Sequence, residues 1–321
     1  MSKITIPVTS FAYACAALAL STAPLLAHPV DQHPSDVGAL RWSVDPLVII
    51  SLAVSAWLYG RGVRRLWRSA GVDRGVRVWQ ALAFTAGWAA LVIALVSPLD
   101  SMGAALFSAH MAQHEILMLV AAPLLVLGTP LLPFLWAMPL RCRERLGRWT
   151  QTRLIDRTWR IVTGPLTVWI AHALALWIWH VPTLFQATLE SDLVHAAQHS
   201  SFFVTAALFW WALIHGRYGR IGYGVAVLYV FTTAVHTSIL GALLTFAPRL
   251  WYPSYARTAP SWGLSPLEDQ QLGGLIMWVP AGLVFIVVGV ALFAAWLGES
   301  ERRVALSQSG ALIDDVRRFQ T

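Results

Sequence analysis

The sequence predicts an all-α fold: a polytopic membrane helix bundle with seven transmembrane helices after an N-terminal signal-like segment. Hydrophobic residues make up 57% of the 321 residues, charged residues make up only 12%, and the mean hydropathy is +0.60. Soluble domains carry about a quarter charged residues, so this composition excludes an ordinary soluble protein. The net charge of +7 comes from arginines between the apolar runs, where they indicate topology rather than binding to nucleic acid.

The chain begins with a targeting segment. Lys3 precedes an apolar core from Phe11 to Leu26, so residues 1–27 are predicted to be a signal peptide or an additional N-terminal span. Residues 28–44 are polar and form a predicted periplasmic segment. A mature start at His28 would place an amine and an imidazole together, a known style of copper ligation.

Seven apolar runs make up the predicted membrane domain, residues 45–297, and each is near the roughly 20 residues that a bilayer needs. The runs cover about residues 44–59, 78–97, 104–127, 161–180, 193–214, 225–246 and 272–297. The third run continues through Gly128, Pro130 and Pro133, where the prolines are expected to break the helix.

The arginines assign an orientation to these spans. Nineteen lie after the first, third, fifth and seventh spans, and only Arg41, Arg249 and Arg257 lie on the opposite side. Cytoplasmic loops carry the excess of basic residues. We therefore expect the mature N-terminus to lie outside the membrane and the tail, residues 298–321, to lie in the cytoplasm.

Two copies of the pattern HxAQH indicate the functional site. His110 and His114 lie in the outer half of the third span, and His195 and His199 lie in the first two turns of the fifth. Residues at i and i+4 share one helix face with Cβ atoms about 5–6 Å apart, which suits two imidazoles that share a metal ion. Polar residues inside a span are costly and usually face a partner or a cavity.

Other side chains are predicted in the same outer layer. His180 and His236 are further candidate metal ligands, although packing histidines would look the same. Asp269 could orient an imidazole through its second nitrogen or simply cap the last helix. Met277 and Met111 are expected to lie around the ligands, with ordinary packing as the alternative.

The residue types favour copper without excluding other metals. Imidazoles suit zinc, copper, iron and nickel. The HExxH pattern of zinc hydrolases is absent, because Glu115 lies outside the pair. Haem is not expected, since two imidazoles on one helix would compete for one side of a porphyrin. The two cysteines, Cys15 and Cys142, are far apart and argue against a thiolate site.

Several stretches together resemble the CtaG family of bacterial cytochrome c oxidase assembly factors. They are HMAQH at 110–114 with AAPL at 121–124, WHVP at 179–182, HAAQH at 195–199 and DQQLGGLIMW at 269–278. The resemblance covers about residues 45–297. It implies a non-enzymatic inner-membrane protein that supplies copper to the active-site copper centre of a haem–copper oxidase catalytic subunit, with a periplasmic copper donor as a further possible partner.

Two alternatives remain open at this point. The first is a membrane electron-transfer protein that binds haem b, and the second is an assembly scaffold whose histidines only pack. The spacing also predicts that spans two–three and four–five are parallel repeats, because Pro98 precedes His110 much as Pro182 precedes His195.

The orientation can be tested directly. A reporter enzyme that is active only in the periplasm, fused after Gly298, should be inactive because the arginine-rich connections place that residue in the cytoplasm. The same reporter inserted in the loop between the sixth and seventh spans should be active. Activity of the fusion after Gly298 would invert the assigned orientation.

Overall fold

A computed structural model describes residues 41–150, 152–215 and 222–318, and every element within them is helical. The predicted signal segment and most of the predicted periplasmic segment lie outside these residues. The first helices are α1 (Pro46–Ala70), α2 (Val78–Leu95), α3 (Pro98–Ala105), α4 (Phe107–Glu115), α5 (Ala122–Leu127) and α6 (Leu131–Ala137). They are followed by α7 (Leu140–Thr150), α8 (Arg153–Val162), α9 (Pro165–Trp179), α10 (Pro182–Glu190), α11 (Asp192–His215), α12 (Tyr223–Thr245) and α13 (Pro266–Arg318).

Several of these helices suit a bilayer. Among the described residues, five are long and apolar enough to cross a membrane: Pro46–Ala70, Val78–Leu95, Phe107–Leu127, Tyr223–Thr245 and Pro266–Arg302. A sixth span results if α8 and α9, which meet at 55°, count as one. The predicted number of seven is not confirmed. The helix α11 has 24 residues, but its polar first turns, with His195, Gln198 and His199, lower its hydropathy.

The third span is not a regular helix. Between α4 and α5 the residues Ile116–Ala121 form a π-helical turn, and the Ala122 N–H bonds to the Leu117 carbonyl five residues back. Pro123 follows directly after this turn. In a regular α-helix a proline lacks the N–H for the helical hydrogen bond, and its ring clashes with the carbonyl four residues earlier. The wider π-helical turn relieves this conflict. The indole of Trp210 donates to the Met118 carbonyl at 2.9 Å. The span ends at Gly128 and Thr129, as the prolines predict.

The two HxAQH helices begin in the same way. Each follows a short helix that starts with proline, and each is separated from it by one extended residue, Leu106 or Ser191. The His110 N–H bonds to the Leu106 carbonyl at 3.1 Å, and the His195 N–H bonds to the Ser191 carbonyl at 2.9 Å. These local geometries agree with the predicted repeat; superposition of the complete hairpins stays a prediction.

Hydrogen bonds define the two ends of the bundle. At one end, which we call the arginine end, Arg65 and Arg61 donate to the Ala137 carbonyl at 2.9 and 3.3 Å and so join α1 to α6. At the other end, the histidine end, the Ser43 N–H bonds to the Val96 carbonyl at 2.9 Å. The HxAQH motifs lie towards this second end, because α4 and α11 begin there.

The last helix packs closely on two partners because of consecutive glycines. A Cβ added at Gly273 would lie 2.3 Å from the Phe107 ring on α4. A Cβ at Gly274 would lie 2.5 Å from the Thr245 nitrogen and 2.8 Å from the Gly241 oxygen on α12. Small residues allow this close approach between membrane helices. The helix continues past the predicted start of the tail at residue 298 as far as Arg318.

A pair of glycine substitutions tests this packing. Gly274→Ala should destabilise the protein by about 1–3 kcal/mol, because the new methyl group meets backbone atoms that cannot move independently. The control is Gly282→Ala on the same helix, where a Cβ meets no atom within 4 Å and should be neutral or slightly stabilising. Thermal unfolding in detergent measures both. Equal melting temperatures for the two variants would contradict the close contact.

Candidate metal centre

The two HxAQH motifs come together in space. The imidazoles of His110, His114, His195 and His199 form one group, which we call the histidine cluster. Between α4 and α11, the ring centroids of His110 and His195 are 5.2 Å apart, those of His110 and His199 5.7 Å, and those of His114 and His199 5.1 Å. Within the helices, the centroid separations are 4.4 Å for His110–His114 and 4.1 Å for His195–His199.

Three members of the cluster could hold a metal ion together. One ring nitrogen from each of His110, His195 and His199 lies within 4.8 Å of the others. Nitrogen ligands about 2.0 Å from one ion are roughly 3.3–3.5 Å apart, so the rings would need to approach one another by about 1 Å. The structure thus brings ring nitrogens from two helices to one place, as the sequence predicts.

The cluster is buried and holds ring nitrogens that no described residue satisfies. His110 and His114 are each 1% exposed. Within the described part of the chain, both nitrogens of His114 and the Nε2 atoms of His195 and His199 have no hydrogen-bond partner. Buried polar groups usually have partners, so a concentration of unsatisfied nitrogens needs an explanation. A bound cation would supply one, since neutral imidazole is a common metal ligand.

His180 lies at the edge of the cluster with its tautomer set by the backbone. Its Nδ1 lies 2.7 Å from the Leu176 carbonyl, which can only accept, so Nδ1 carries the proton. The Nε2 lone pair is then free, and this atom is buried without a partner among the described residues. His180 is within electrostatic range of His110 and His114. Metal ligands often donate their second N–H to a backbone carbonyl in this way.

The structure places His236 elsewhere. Its ring centroid lies 5.6 Å from that of Trp169, and the ring is within electrostatic range of His172. The Nδ1 of His172 in turn lies 3.0 Å from the Thr205 hydroxyl. His236 is thus grouped with His172 rather than with the histidine cluster. His215 stacks on Trp211 at the end of α11, with ring centroids 4.2 Å apart.

Asp269 caps the helix that carries His110 and His114. Its carboxylate accepts hydrogen bonds from the Phe107 N–H at 2.7 Å, the Ser108 N–H at 3.0 Å and the Ser108 hydroxyl at 2.5 Å. The residue before this helix, Leu106, has no side-chain oxygen that could cap it. Asp269 therefore positions His110 and His114 through the backbone of α4. The sequence allows a second role, a hydrogen bond to the second nitrogen of an imidazole, but the structure shows the carboxylate on backbone N–H groups instead.

The two methionines lie in the apolar core beside the cluster. Met111 is 0% exposed and Met277 is 3% exposed, and both belong to the same hydrophobic group as Phe107. Met111 also lies against α13, because a Cβ at Gly273 would be 3.3 Å from its Cγ. These contacts describe packing around the ligand helices.

The glutamines of the two motifs are site residues that the sequence analysis missed. Gln198 Oε1 lies 3.2 Å from His110 Nε2, and Gln113 Nε2 donates to Asp100 Oδ1 at 2.8 Å and to the Ala94 carbonyl at 2.7 Å. Both glutamines are 0% exposed. Their repetition at the same place in each motif was the feature that could have identified them.

Four buried aromatic side chains lie beside the cluster at the histidine end of the bundle. Phe107, Phe185, Tyr252 and Tyr255 are 0–1% exposed, and the Phe185 ring lies 5.1 Å from that of His110. Tyr252 donates to the His180 carbonyl at 2.9 Å, and Tyr255 donates to the Gly103 carbonyl at 3.0 Å. Burial raises the pKa of both phenols above their ordinary value, so they remain hydrogen-bond donors.

The fold and the site define a helical membrane protein with a buried cluster of histidines. The family model described as cytochrome c oxidase caa3 assembly factor (Caa3_CtaG) matches residues 57–299. The chain belongs to this family. The match includes every residue of the histidine cluster as well as His180 and Asp269.

Curated relatives come from mycobacteria. The chain is 29% identical over 287 residues to the uncharacterized protein Mb0105 of Mycobacterium bovis. The aligned residues make up 87% of this chain and 43% of the relative. It is 27% identical over 278 residues to the uncharacterized protein ML1998 of Mycobacterium leprae, covering 83% of this chain and 41% of the relative. The chain therefore spans less than half the length of these relatives. No solved structure matches the chain.

The role of Asp269 is testable with its neighbour as a control. Asp269→Asn removes the charge and one of two acceptor oxygens, and should destabilise the protein by about 1–3 kcal/mol. Glu268→Gln removes an exposed charge in the same turn but keeps an oxygen that can accept from the Ser265 N–H, so its stability should stay within about 0.5 kcal/mol of wild type. Denaturation of both variants in detergent gives the comparison. An unchanged stability of Asp269→Asn would remove the capping role.

Proposed function

We propose that this protein binds copper in the histidine cluster and delivers it to the active-site copper centre of the catalytic subunit of a haem–copper oxidase. The observation that carries the proposal is the convergence of nitrogen donors from His110, His195 and His199 within 4.8 Å. Membership of the oxidase assembly family supports the destination of the metal. Copper is the cargo, and the protein acts as an assembly factor rather than an enzyme.

The chemistry of the donors favours copper over zinc or haem. The histidines accommodate both oxidation states of copper, and the cluster lacks the activating carboxylate of a zinc hydrolase between its paired histidines. A haem would require imidazoles on facing helices at opposite sides of a porphyrin. Here each helix contributes two rings whose centroids are only 4.4 or 4.1 Å apart, so they compete for one face.

The arginine distribution supports loading from the periplasm of the inner membrane. Basic residues concentrate in the connections at the arginine end, which the positive-inside rule places in the cytoplasm. The histidine cluster lies towards the opposite end, within the membrane domain. The copper centre of the oxidase is itself buried among helices, so ligand exchange between two membrane-embedded sites would protect the ion from water. A periplasmic copper donor would load the assembly factor.

Metal analysis of purified variants tests the binding step. Wild-type protein, incubated with copper and desalted, should retain about one copper per chain. His110→Ala/His199→Ala removes one donor from each helix and should lower copper affinity by at least about tenfold, since even partners beyond the ligands contribute 10–100-fold. The matched controls, His172→Ala and His215→Ala, alter histidines in other surroundings and should retain wild-type copper.

The cellular consequence follows from the same variants. Cells with His110→Ala/His199→Ala should assemble an oxidase that lacks its active-site copper, partly restored by added copper salts. A fully metallated oxidase in these cells would contradict delivery. An absorption spectrum with haem bands in the purified protein would instead support the electron-transfer alternative, and wild-type protein without metal would support a scaffold.

A further inference from the structure

The two glutamines of the HxAQH motifs have the same place in the sequence but different partners. Gln113 Nε2 donates to the Ala94 carbonyl at 2.7 Å and to Asp100 Oδ1 at 2.8 Å, so its amide is held by α2 and α3. Gln198 Oε1 lies 3.2 Å from His110 Nε2, and its amide nitrogen is buried with no partner among the described residues. Because Gln198 is 0% exposed, its amide depends on His110 for a hydrogen bond.

The amide of Gln198 crosses the gap between the two helices of the histidine cluster. His195, Gln198 and His199 lie at positions i, i+3 and i+4 of α11 and therefore share one face of this helix. His110 lies on α4, and one of its ring nitrogens is within 4.8 Å of ring nitrogens of His195 and His199. An ion shared by these three imidazoles would lie in the same gap as the amide.

The contact gives His110 Nε2 a partner that the matching atoms of its neighbours lack. The Nε2 atoms of His195 and His199 are buried and have no hydrogen-bond partner in the part of the chain that the structure describes. A side-chain amide carries both a donor and an acceptor, so by turning over it can pair with Nε2 in either tautomer of the imidazole. A metal ion needs the lone pair of the nitrogen that it binds, so the amide and an ion exclude each other at Nε2.

We infer that Gln198 competes with copper for His110: its amide occupies Nε2 in the metal-free protein, withdraws when copper binds and returns when copper leaves. This inference rests on the proposed function and adds the residue that sets how tightly the cargo is held. Gln198 is a positioning residue and not a ligand. Its hydrogen bond stabilises the metal-free state alone, so the free energy of that bond lowers the apparent affinity for copper.

The sign of the effect separates this role from a purely structural one. The net contribution of one hydrogen bond corresponds to a change of about two- to tenfold in an equilibrium constant. Removal of the competing amide should therefore tighten copper binding by that factor and slow release. Removal of a residue that only supports the ligand rings should instead weaken copper binding by about 10–100-fold.

The test compares wild-type protein with Gln198→Leu in detergent, since leucine fills a similar volume without a hydrogen-bonding group. Gln198→Asn, whose amide is one methylene shorter and cannot reach His110 equally well, is a second variant that keeps the polarity of the site. The matched control is Gln113→Leu, at the same place in the other motif. Competition with a chromophoric copper chelator gives the affinity, and stopped-flow transfer of copper to excess chelator gives the release rate. Thermal unfolding without and with copper gives the stability of each state.

Gln198→Leu should bind copper about two- to tenfold more tightly than wild type and release it correspondingly more slowly. Its unfolding temperature should fall in the metal-free state and not in the copper-loaded state, and Gln198→Asn should change in the same direction. Gln113→Leu should lower the unfolding temperature of both states without any gain in affinity, because the Asp100 carboxylate and the Ala94 carbonyl lose their donor.

Two results would contradict the inference in different ways. Copper affinities of both Gln198 variants that equal or fall below the wild-type value would overturn the competition and leave the proposed function standing. Wild-type protein that takes up no copper would overturn the proposed function, and the competition with it.

Discussion

The position of the histidine helix depends on one buried carboxylate. Asp269, at the start of the last helix, accepts the first N–H groups of α4, which has no cap of its own because Leu106 precedes it. Unpaired N–H groups at this depth would cost free energy, and a negative charge at a helix N-terminus is favourable. Four residues later Gly273 lets the Phe107 ring lie directly on the backbone of the same helix. The Asp269 carboxylate and the contact between Phe107 and Gly273 together fix the start of α4. They therefore set the depth of His110 and His114 in the bundle and the rotation of these residues about the helix axis.

The remaining residues of DQQLGG fasten the same helix to the loop before it. Gln270 accepts from the Trp251 N–H at 2.6 Å, and Gln271 donates to the Ala247 carbonyl at 3.1 Å. The loop then returns towards the cluster, where Tyr252 bonds to the His180 carbonyl and Tyr255 to the Gly103 carbonyl. A single sequence motif thus joins the last helix, the buried aromatic side chains and the first histidine helix. This explains why a motif without metal ligands accompanies the paired histidines in this chain.

The sequence was sufficient to predict the paired histidines, the break after the third span and the shared layer of His110, His114, His195 and His199. These predictions depend on local rules, because spacing decides which residues share a helix face. It could not place His236, since the rotation of α12 against its neighbours depends on packing along the whole helix. The sequence also allowed Asp269 to cap its own helix. In the structure it caps α4 instead, by accepting from Phe107 and Ser108, which lie 162 and 161 positions earlier in the chain. The sequence did predict the span at 193–214 that corresponds to α11, although the polar first turns with His195, Gln198 and His199 lower the hydropathy of this helix.

The proposed function requires that the metal be released, and the arrangement of donors suits that step. Three imidazoles that can meet one ion come from two helices with similar starts, and His110 Nε2 already has an alternative partner, Gln198 Oε1, at 3.2 Å. A ligand that can exchange a metal for a hydrogen bond leaves fewer unsatisfied groups when the ion departs. His180 lies beside the cluster, with its ring held by the Leu176 carbonyl and with an Nε2 that has no partner among the described residues. Under the proposed function, stepwise exchange among neighbouring imidazoles would keep the cation from losing all its ligands at once, which is the costly step in a medium that solvates charge poorly.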